Sequence, residues 1–414
     1  MTARIRLAVV MTHPVQYMSP WFRFITSECR EIDLTVLYGA VPAPEQQGIG
    51  FDRAFAWDVP LTEGYRAVVC GEAAGKSFDS ETFFGVDVPA IEQHLTAAAP
   101  DVVLVPGWHS ALQVRAIRAC RRRRIPVVYR GDSTLFSGLR RFVRPLWALK
   151  TRYMLAQFDG YLAVGAHADE YLRRFVAADA LIARSPHCVD NARFEYEADR
   201  HRAADARAKA RAAIGASPGD FVVLFAGKFQ ARKRPIDAVH AIARLGPAAL
   251  LMMAGDGPLA GEARTEASRL GIRLAWKGFI NQSELPVAFA LADAVLVPSA
   301  WESWGLIVNE ALASGVPCVV TTRVACAPDL IVEGVTGFTC EPSDVEAMAA
   351  RLDDIRVAQA RGHDFGPACR AQAETCGFAA ATAGLLEICR RVRGQRPPTP
   401  AHAVGAPGSV HFFA

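Results

Sequence analysis

Short apolar runs of strand length alternate with amphipathic stretches along this chain, and that alternation restricts the fold more than any other feature. Candidate strands in the first half are residues 5–11, 34–38, 102–105, 126–129, 160–164 and 181–183. The second half repeats the theme at 222–226, 250–254, 272–275, 295–298 and 317–321. Helical periodicity fills the later gaps, at 235–245, 260–270, 306–313 and 343–352. Strands with no polar face are buried on both sides, and parallel neighbours need a helix-length crossover between them. Two such series predict two doubly wound α/β domains, which agrees with 414 residues at ~150 per domain.

Composition removes other classes. At 51% hydrophobic and 21% charged residues the chain is neither disordered nor of low complexity. No apolar run approaches the ~18 residues of a membrane span. The first residues, MTARIRLAVV, lead into Thr12-His13-Pro14 with no small-residue cleavage site, so no secretory signal is expected. Ten cysteines without a CxxC pair read as reduced, mostly buried thiols of a cytoplasmic protein. An Arg/Ala-rich segment, read as a linker helix over 197–213, ends in the turn cluster Gly215 to Asp220. The domains are therefore set at 1–197 and 220–392, joined by 198–219, with a loosely attached tail over 393–414.

The net charge of +4 is unevenly placed. Between Arg115 and Arg152 stand twelve basic residues and one acid, Asp132. Arg121 and Arg124, at the two ends of a four-arginine run, and Arg140, Arg141 and Arg144 make this face a candidate for anionic lipid headgroups at the inner membrane surface. Few aromatics interleave with the charges, so no nucleic-acid partner is expected.

Ligands of open parallel sheets bind beyond the carboxyl ends of the strands. After the 222–226 strand come Gly227, Lys228, Arg232, Lys233 and Arg234, then a helix start; such cations could hold a diphosphate without a metal. The next strand ends in Gly255-Asp256-Gly257-Pro258, a tight turn on the same edge. Further on, Glu302 and Glu310 flank Ser303-Trp304-Gly305-Leu306 at a helix start. Their spacing does not make a close acid pair, but it suits a long ligand touched at two points.

Taken together, Gly227-Lys228 with Lys233, Gly255-Asp256-Gly257-Pro258, Glu302 to Glu310 within ESWGLIVNEALASGVPCVV, Ala327-Pro328-Asp329, and Ser185-Pro186-His187-Cys188-Val189-Asp190 resemble the family 4 retaining glycosyltransferases. The resemblance is dense over residues 180–355 and looser before. It implies the GT-B fold, two Rossmann-like domains facing across a cleft, with a last helix crossing back to the first. It further implies a nucleotide-sugar donor and no metal or other cofactor. Lys228 and Lys233 match the pair that holds the diphosphate, Glu310 the acid on the ribose, and Glu302 the acid near the donor sugar. Gly305 and Leu306 match the backbone that approaches the phosphates, and the stretch with Phe279 the part that meets the base. Glu302 and Lys233 are thus the catalytic candidates.

The first domain departs from the family pattern. Its first loop reads Thr12-His13-Pro14-Val15-Gln16-Tyr17 where most members carry Gly-Gly. The stretch Val128 to Ser133 lacks the usual His. His13, Gln16, His109, Arg130 and Asp132 are the acceptor-side candidates, for a glycan, a lipid-linked or a small-molecule acceptor in envelope or secondary-glycan synthesis. Two alternatives stay open: a GT-B nucleotide-sugar epimerase, and a non-catalytic nucleotide-sugar-binding protein.

Overall fold

The apolar runs assemble as two parallel sheets in the computed structural model, which describes residues 4–47, 54–71, 78–79, 82–136 and 144–394. The first sheet contains β1 (Ile5–Met11), β2 (Ile32–Tyr38), β3 (Arg66–Val69), β4 (Val102–Val105), β5 (Val127–Gly131), β6 (Gly160–Ala163) and β7 (Ile182–Arg184), in the order β3-β2-β1-β4-β5-β6-β7. The second contains β8 (Phe221–Ala226), β9 (Ala249–Ala254), β10 (Arg273–Gly278), β11 (Ala294–Val297), β12 (Cys318–Thr321) and β13 (Gly337–Cys340), in the order β10-β9-β8-β11-β12-β13. Strand order reverses between β1 and β4 and again between β8 and β11. Each reversal opens a crevice beyond the strand ends, and the two crevices face one another. This is the GT-B architecture.

Sequence periodicity misses β3 and β13. Both are edge strands: β3 begins with Arg66 and has no fully buried residue, and β13 opens with glycine. An edge strand is packed on one side only, so it carries no continuous apolar run. The strand expected to end at 275 continues to Gly278, pairing Trp276 with Met253 and Gly278 with Ala254 of β9, and the Trp276 ring stacks on Phe229 at 5.0 Å. The linker region also differs. Its chain forms two helices, Asn191–Arg202 and Ala204–Ala213, with a break at Ala203. The first packs on the Leu285–Leu291 and Leu306–Ala313 helices of the second unit, so the chain changes domain just after β7.

The last helix, Phe378–Gly394, returns to the first sheet. Its Ala381, Leu385, Ile388, Cys389 and Val392 join the core formed by β1, β2 and the Met18–Glu28 helix. The Trp21 Nε1 donates to Thr382 Oγ1 at 2.9 Å, and Ser185 Oγ donates to the Ala381 carbonyl at 2.8 Å. The helix covers the beginning of the expected tail; residues 395–414 lie outside the described residues. A second tie joins the domains nearer the cleft. Asp329, buried in the second domain, accepts the Ala166 N–H at 3.0 Å and pairs with Arg184 of β7. It thereby satisfies the amino end of a first-domain helix, Ala166–Phe175.

The basic region is less cationic in space than in sequence. Arg121 pairs with Asp159 at 3.3 Å, Arg122 and Arg123 both reach Glu92, and Arg115 grips Asp87. Arg124 occupies the left-handed cap after the Ala111–Arg123 helix. Arg140 and Arg141 lie outside the described residues, and Arg144 opens the helix Arg144–Leu155. All cysteines except Cys29 and Cys70 are buried. Among the described residues no helix is long and apolar enough to cross a membrane.

Leu385 is fully buried where the last helix meets the first sheet. Leu385→Ala should cost about 2–5 kcal/mol through lost burial and the cavity left behind. Calorimetry should show unfolding several degrees lower; an unchanged transition would mean that the helix does not hold the first domain together.

Candidate active site at the interdomain cleft

A cleft between the domains, about 310 Å³, lies where the two strand-order reversals meet. Gly227 after β8 and Gly255 after β9 form its second-domain wall. These loops interlock. A Cβ on Gly255 would sit 1.9 Å from the Gly227 carbonyl oxygen, and Phe229 N–H donates to the Asp256 carbonyl at 2.8 Å. The Gly-Asp-Gly-Pro turn therefore owes its glycines to backbone crowding as well as to its place at the cleft.

From this base rises a 3-10 turn, Ala231–Lys233, leading into the Pro235–Leu245 helix. The four cations here have different surroundings. Lys233 reaches the cleft and pairs with Glu302 Oε1; Arg232 pairs with Glu302 Oε2 at 3.0 Å and lies 4.8 Å over the Trp301 ring. Arg234 turns to Asp237. Lys228 is half-buried and is not part of the cleft lining.

Glu302 itself is only 5% exposed, and Ser299 Oγ donates to it at 2.7 Å. Burial acts to raise its carboxyl, but Lys233, Ser299 and Arg232 outweigh burial and hold the group below the ordinary carboxylate range. It is therefore an anion at neutral pH. The next residues turn at Gly305 into the Leu306–Ala313 helix, whose amino end, with Ser303, Gly305, Leu306 and Ile307, forms the cleft floor. Partial positive charge at a helix amino end suits an anion.

Glu310, one and a half turns along that helix, also lines the cleft, but in a different environment. Burial pushes its carboxyl up to about 7, against the opposing pull of Arg193 and Gln282. Arg193 donates to the Gln282 carbonyl at 3.0 Å, so Gln282 is fixed beside the carboxyl. At the far end Phe279 and Ile280 meet the first domain: Phe279 packs on Phe55 at 4.3 Å, and Asn281 Nδ2 donates to the Ala56 carbonyl at 2.8 Å.

The first domain contributes Gln16, Tyr17, Trp57, Asp132 and His187 to the lining. Ser303 Oγ donates to Asp132 Oδ2 at 2.6 Å, a direct bond across the cleft. Asp132 also lines a neighbouring pocket, about 310 Å³, with His109, Trp108, Tyr129 and Trp147. His109 is lowered by burial, which Asp132 opposes. His13 lies outside both linings; burial and His109 lower it to about 4. Arg130 is the candidate most displaced from its expected place. It is buried beneath the cleft, donates to the Pro186 carbonyl at 2.9 Å, and stacks 4.7 Å over Trp21.

Several lining residues escaped the sequence reading. His187 is the most informative. It follows β7, packs edge-on between Tyr17 and Trp304 at 5.5 and 5.7 Å, and keeps a buried Nδ1 without a partner. Burial and Arg130 hold it well below the usual histidine range, so it is neutral. Its place beyond a strand end was the available signal. Tyr17, in the loop after β1, shared that signal, whereas Trp57 carried no such mark. Among the described residues no group of three or more metal-ligating side chains comes together.

Residues 206–371 match the model of a family described as glycosyl transferases group 1. The D-inositol 3-phosphate glycosyltransferase of Streptomyces avermitilis is 31% identical over 240 residues, 51% of this chain and 52% of that protein. The glycogen synthase of Mycobacterium tuberculosis is 31% identical over 193 residues, 44% of this chain and 45% of that protein. The chain thus matches over about half the length of these relatives. Solved structures follow almost the whole chain. HepE of Anabaena in complex with UDP superposes with a TM-score of 0.70 at 16% identity, covering 93% of this chain and 99% of that one. Sucrose-phosphate synthase of Thermosynechococcus elongatus gives 0.67 at 17%, covering 94% and 99%.

The raised Glu310 carboxyl has a stability consequence. Between its ordinary 4.5 and about 7 the folded protein binds more protons than the unfolded chain, so this group's contribution falls as pH rises through that window. The full penalty above the window is on the order of 3 kcal/mol. Glu310→Gln should therefore unfold at a higher temperature than wild type at pH ~8, with the difference fading toward pH ~5. Thermal melts across that range that show no pH-dependent gain would contradict the assigned environment.

Proposed function

We propose that this protein is a retaining glycosyltransferase that moves a sugar from a nucleoside diphosphate to an acceptor hydroxyl. One observation carries the reading. Arg232 and Lys233 share the single carboxylate of Glu302 beside the helix amino end at Gly305, so the cluster keeps one positive charge in excess. A diphosphate fits that excess, and Glu310, farther along the same cleft, suits the ribose diol of the same ligand. The similarity to a D-inositol 3-phosphate glycosyltransferase and a glycogen synthase supports sugar transfer. The complexes of HepE with UDP and with UDP-glucose support a nucleotide-sugar donor.

In this reading the bond from the sugar's anomeric carbon to the β-phosphate oxygen breaks first. Lys233 and the helix amino end stabilise the charge that grows on the departing diphosphate. Glu302 supports positive charge on the sugar. The acceptor hydroxyl, entering from the side of Asp132, attacks the face that the phosphate leaves, and its proton passes to the departing phosphate oxygen. Attack on that face keeps the anomeric configuration.

Lys233→Ala should weaken nucleoside diphosphate binding roughly tenfold or more, for a lost charge-assisted contact of about 1.5–3 kcal/mol. Thermal-shift titration with UDP-, GDP- and ADP-sugars reads this and identifies the base. Undiminished binding by the variant would remove the phosphate assignment. The same assay without acceptor, followed by sugar analysis, separates transfer from epimerisation.

Turnover should survive excess EDTA, since side-chain cations serve the leaving group. Loss of activity that Mg²⁺ or Mn²⁺ restores would count against this account of the site.

A further inference from the structure

The Arg144–Leu155 helix has two working sides. Trp147 and Thr151 face inward and close the neighbouring pocket against His109, Tyr129 and Asp132. On another side Leu146, Leu149 and Tyr153 follow one another at helical spacing and are 71%, 66% and 67% exposed. A single exposed leucine is ordinary, but three large apolar side chains along one ridge make a patch. The helix contains Arg144, Lys150 and Arg152 and no acid. Lys150 and Arg152 are exposed, Lys150 at the rim of that inner pocket, and neither makes an ion pair within 4.0 Å among the described residues. The arginines of the Ala111–Arg123 helix, by contrast, find Asp87, Asp159 and Glu92.

An apolar ridge edged by cations matches the boundary between anionic headgroups and acyl chains. A second copy of the chain fits less well. Two-fold pairing through this ridge would bring a second set of the same cations beside Lys150 and Arg152, with no acid on the helix to meet them. We propose that the Arg144–Leu155 helix docks this protein onto an anionic lipid bilayer, with its inner side serving as a wall of the pocket that leads to Asp132. The acceptor would then be a hydroxyl-bearing headgroup anchored in that bilayer, a consequence that rests on the transferase reading.

Co-sedimentation with vesicles of phosphatidylcholine, alone or mixed with phosphatidylglycerol, tests the docking. Wild type should bind the mixed vesicles, less so as NaCl rises. The double variant Leu146→Ser, Leu149→Ser should bind roughly tenfold or more weakly. Arg152→Gln should reduce the preference for phosphatidylglycerol. Donor-induced thermal shifts should stay at wild-type values in both variants, which shows that they fold. Equal binding to neutral and mixed vesicles, or equal binding by wild type and the double variant, overturns the proposal. So does a dimer in gel filtration that the double variant abolishes. Vesicle binding without any transfer would sink the enzymatic reading and leave docking intact; transfer to a soluble acceptor without vesicle binding would do the reverse.

Discussion

The cleft depends on the buried carboxylate of Glu302. It comes from the loop after β11, whereas Arg232 and Lys233 come from the loop after β8, the neighbouring strand at the order reversal. Without that anion two cations would converge with nothing between them. A buried ion pair gains little net stability unless its geometry is good and its remaining hydrogen-bonding capacity is filled. Here Ser299 adds a third contact, Ala300 N–H donates to the Arg232 carbonyl at 2.8 Å, and Thr321 Oγ1 ties the Ser299 carbonyl to β12 at 2.6 Å. The loops are thus fixed to each other, and their charges are already oriented toward the cleft.

The opposing wall is fixed by a different set of contacts, and these set the width of the cleft. Gly165 lies where a Cβ would come within 2.3 Å of the Trp304 ring and 2.5 Å of the Asp329 carboxylate. Trp304 in turn donates to Asn309 at 2.8 Å, and Asn309 donates to the His187 carbonyl at 3.2 Å. Arg130 braces Pro186 next to it from below. Arg130, an acceptor-side candidate in the sequence, and His187, which was not, therefore belong to one support: Arg130 holds the segment that presents the imidazole.

Much of this was legible because a parallel sheet confines ligand chemistry to a few strand ends. The loops at 227, 255 and 302 stand there in sequence as in space, and the helices at 235–245, 260–270 and 306–313 begin and end as their periodicity indicates. What stayed hidden depends on contacts between distant residues. The charge of the 115–124 segment could not be judged without Glu92, Asp87 and Asp159, which approach from other elements. Lys228 and Lys233 look equivalent in the sequence; in the fold Lys233, at the end of the 3-10 turn, lines the cleft, and Lys228, before the turn, does not. The Arg144–Leu155 ridge could not be separated from core by composition, since its apolar residues have the same character as buried ones.

The two glutamates of the cleft show how one fold gives like residues unlike tasks. Glu302 is surrounded by donors that favour its charge and hold it below the ordinary carboxylate range. Glu310 is buried with weaker support and stands at about 7, so its charge is poised. Hydroxyl groups donating to Glu310 would favour the carboxylate, because hydrogen bonds to a charged form stabilise that form. Such a contact would release a proton near neutrality. The helix Leu306–Ala313 separates these environments by less than two turns, with its amino end toward the anion and its buried side around Glu310. A single short helix thus sets both the fixed charge balance and the pH-sensitive contact of the same site.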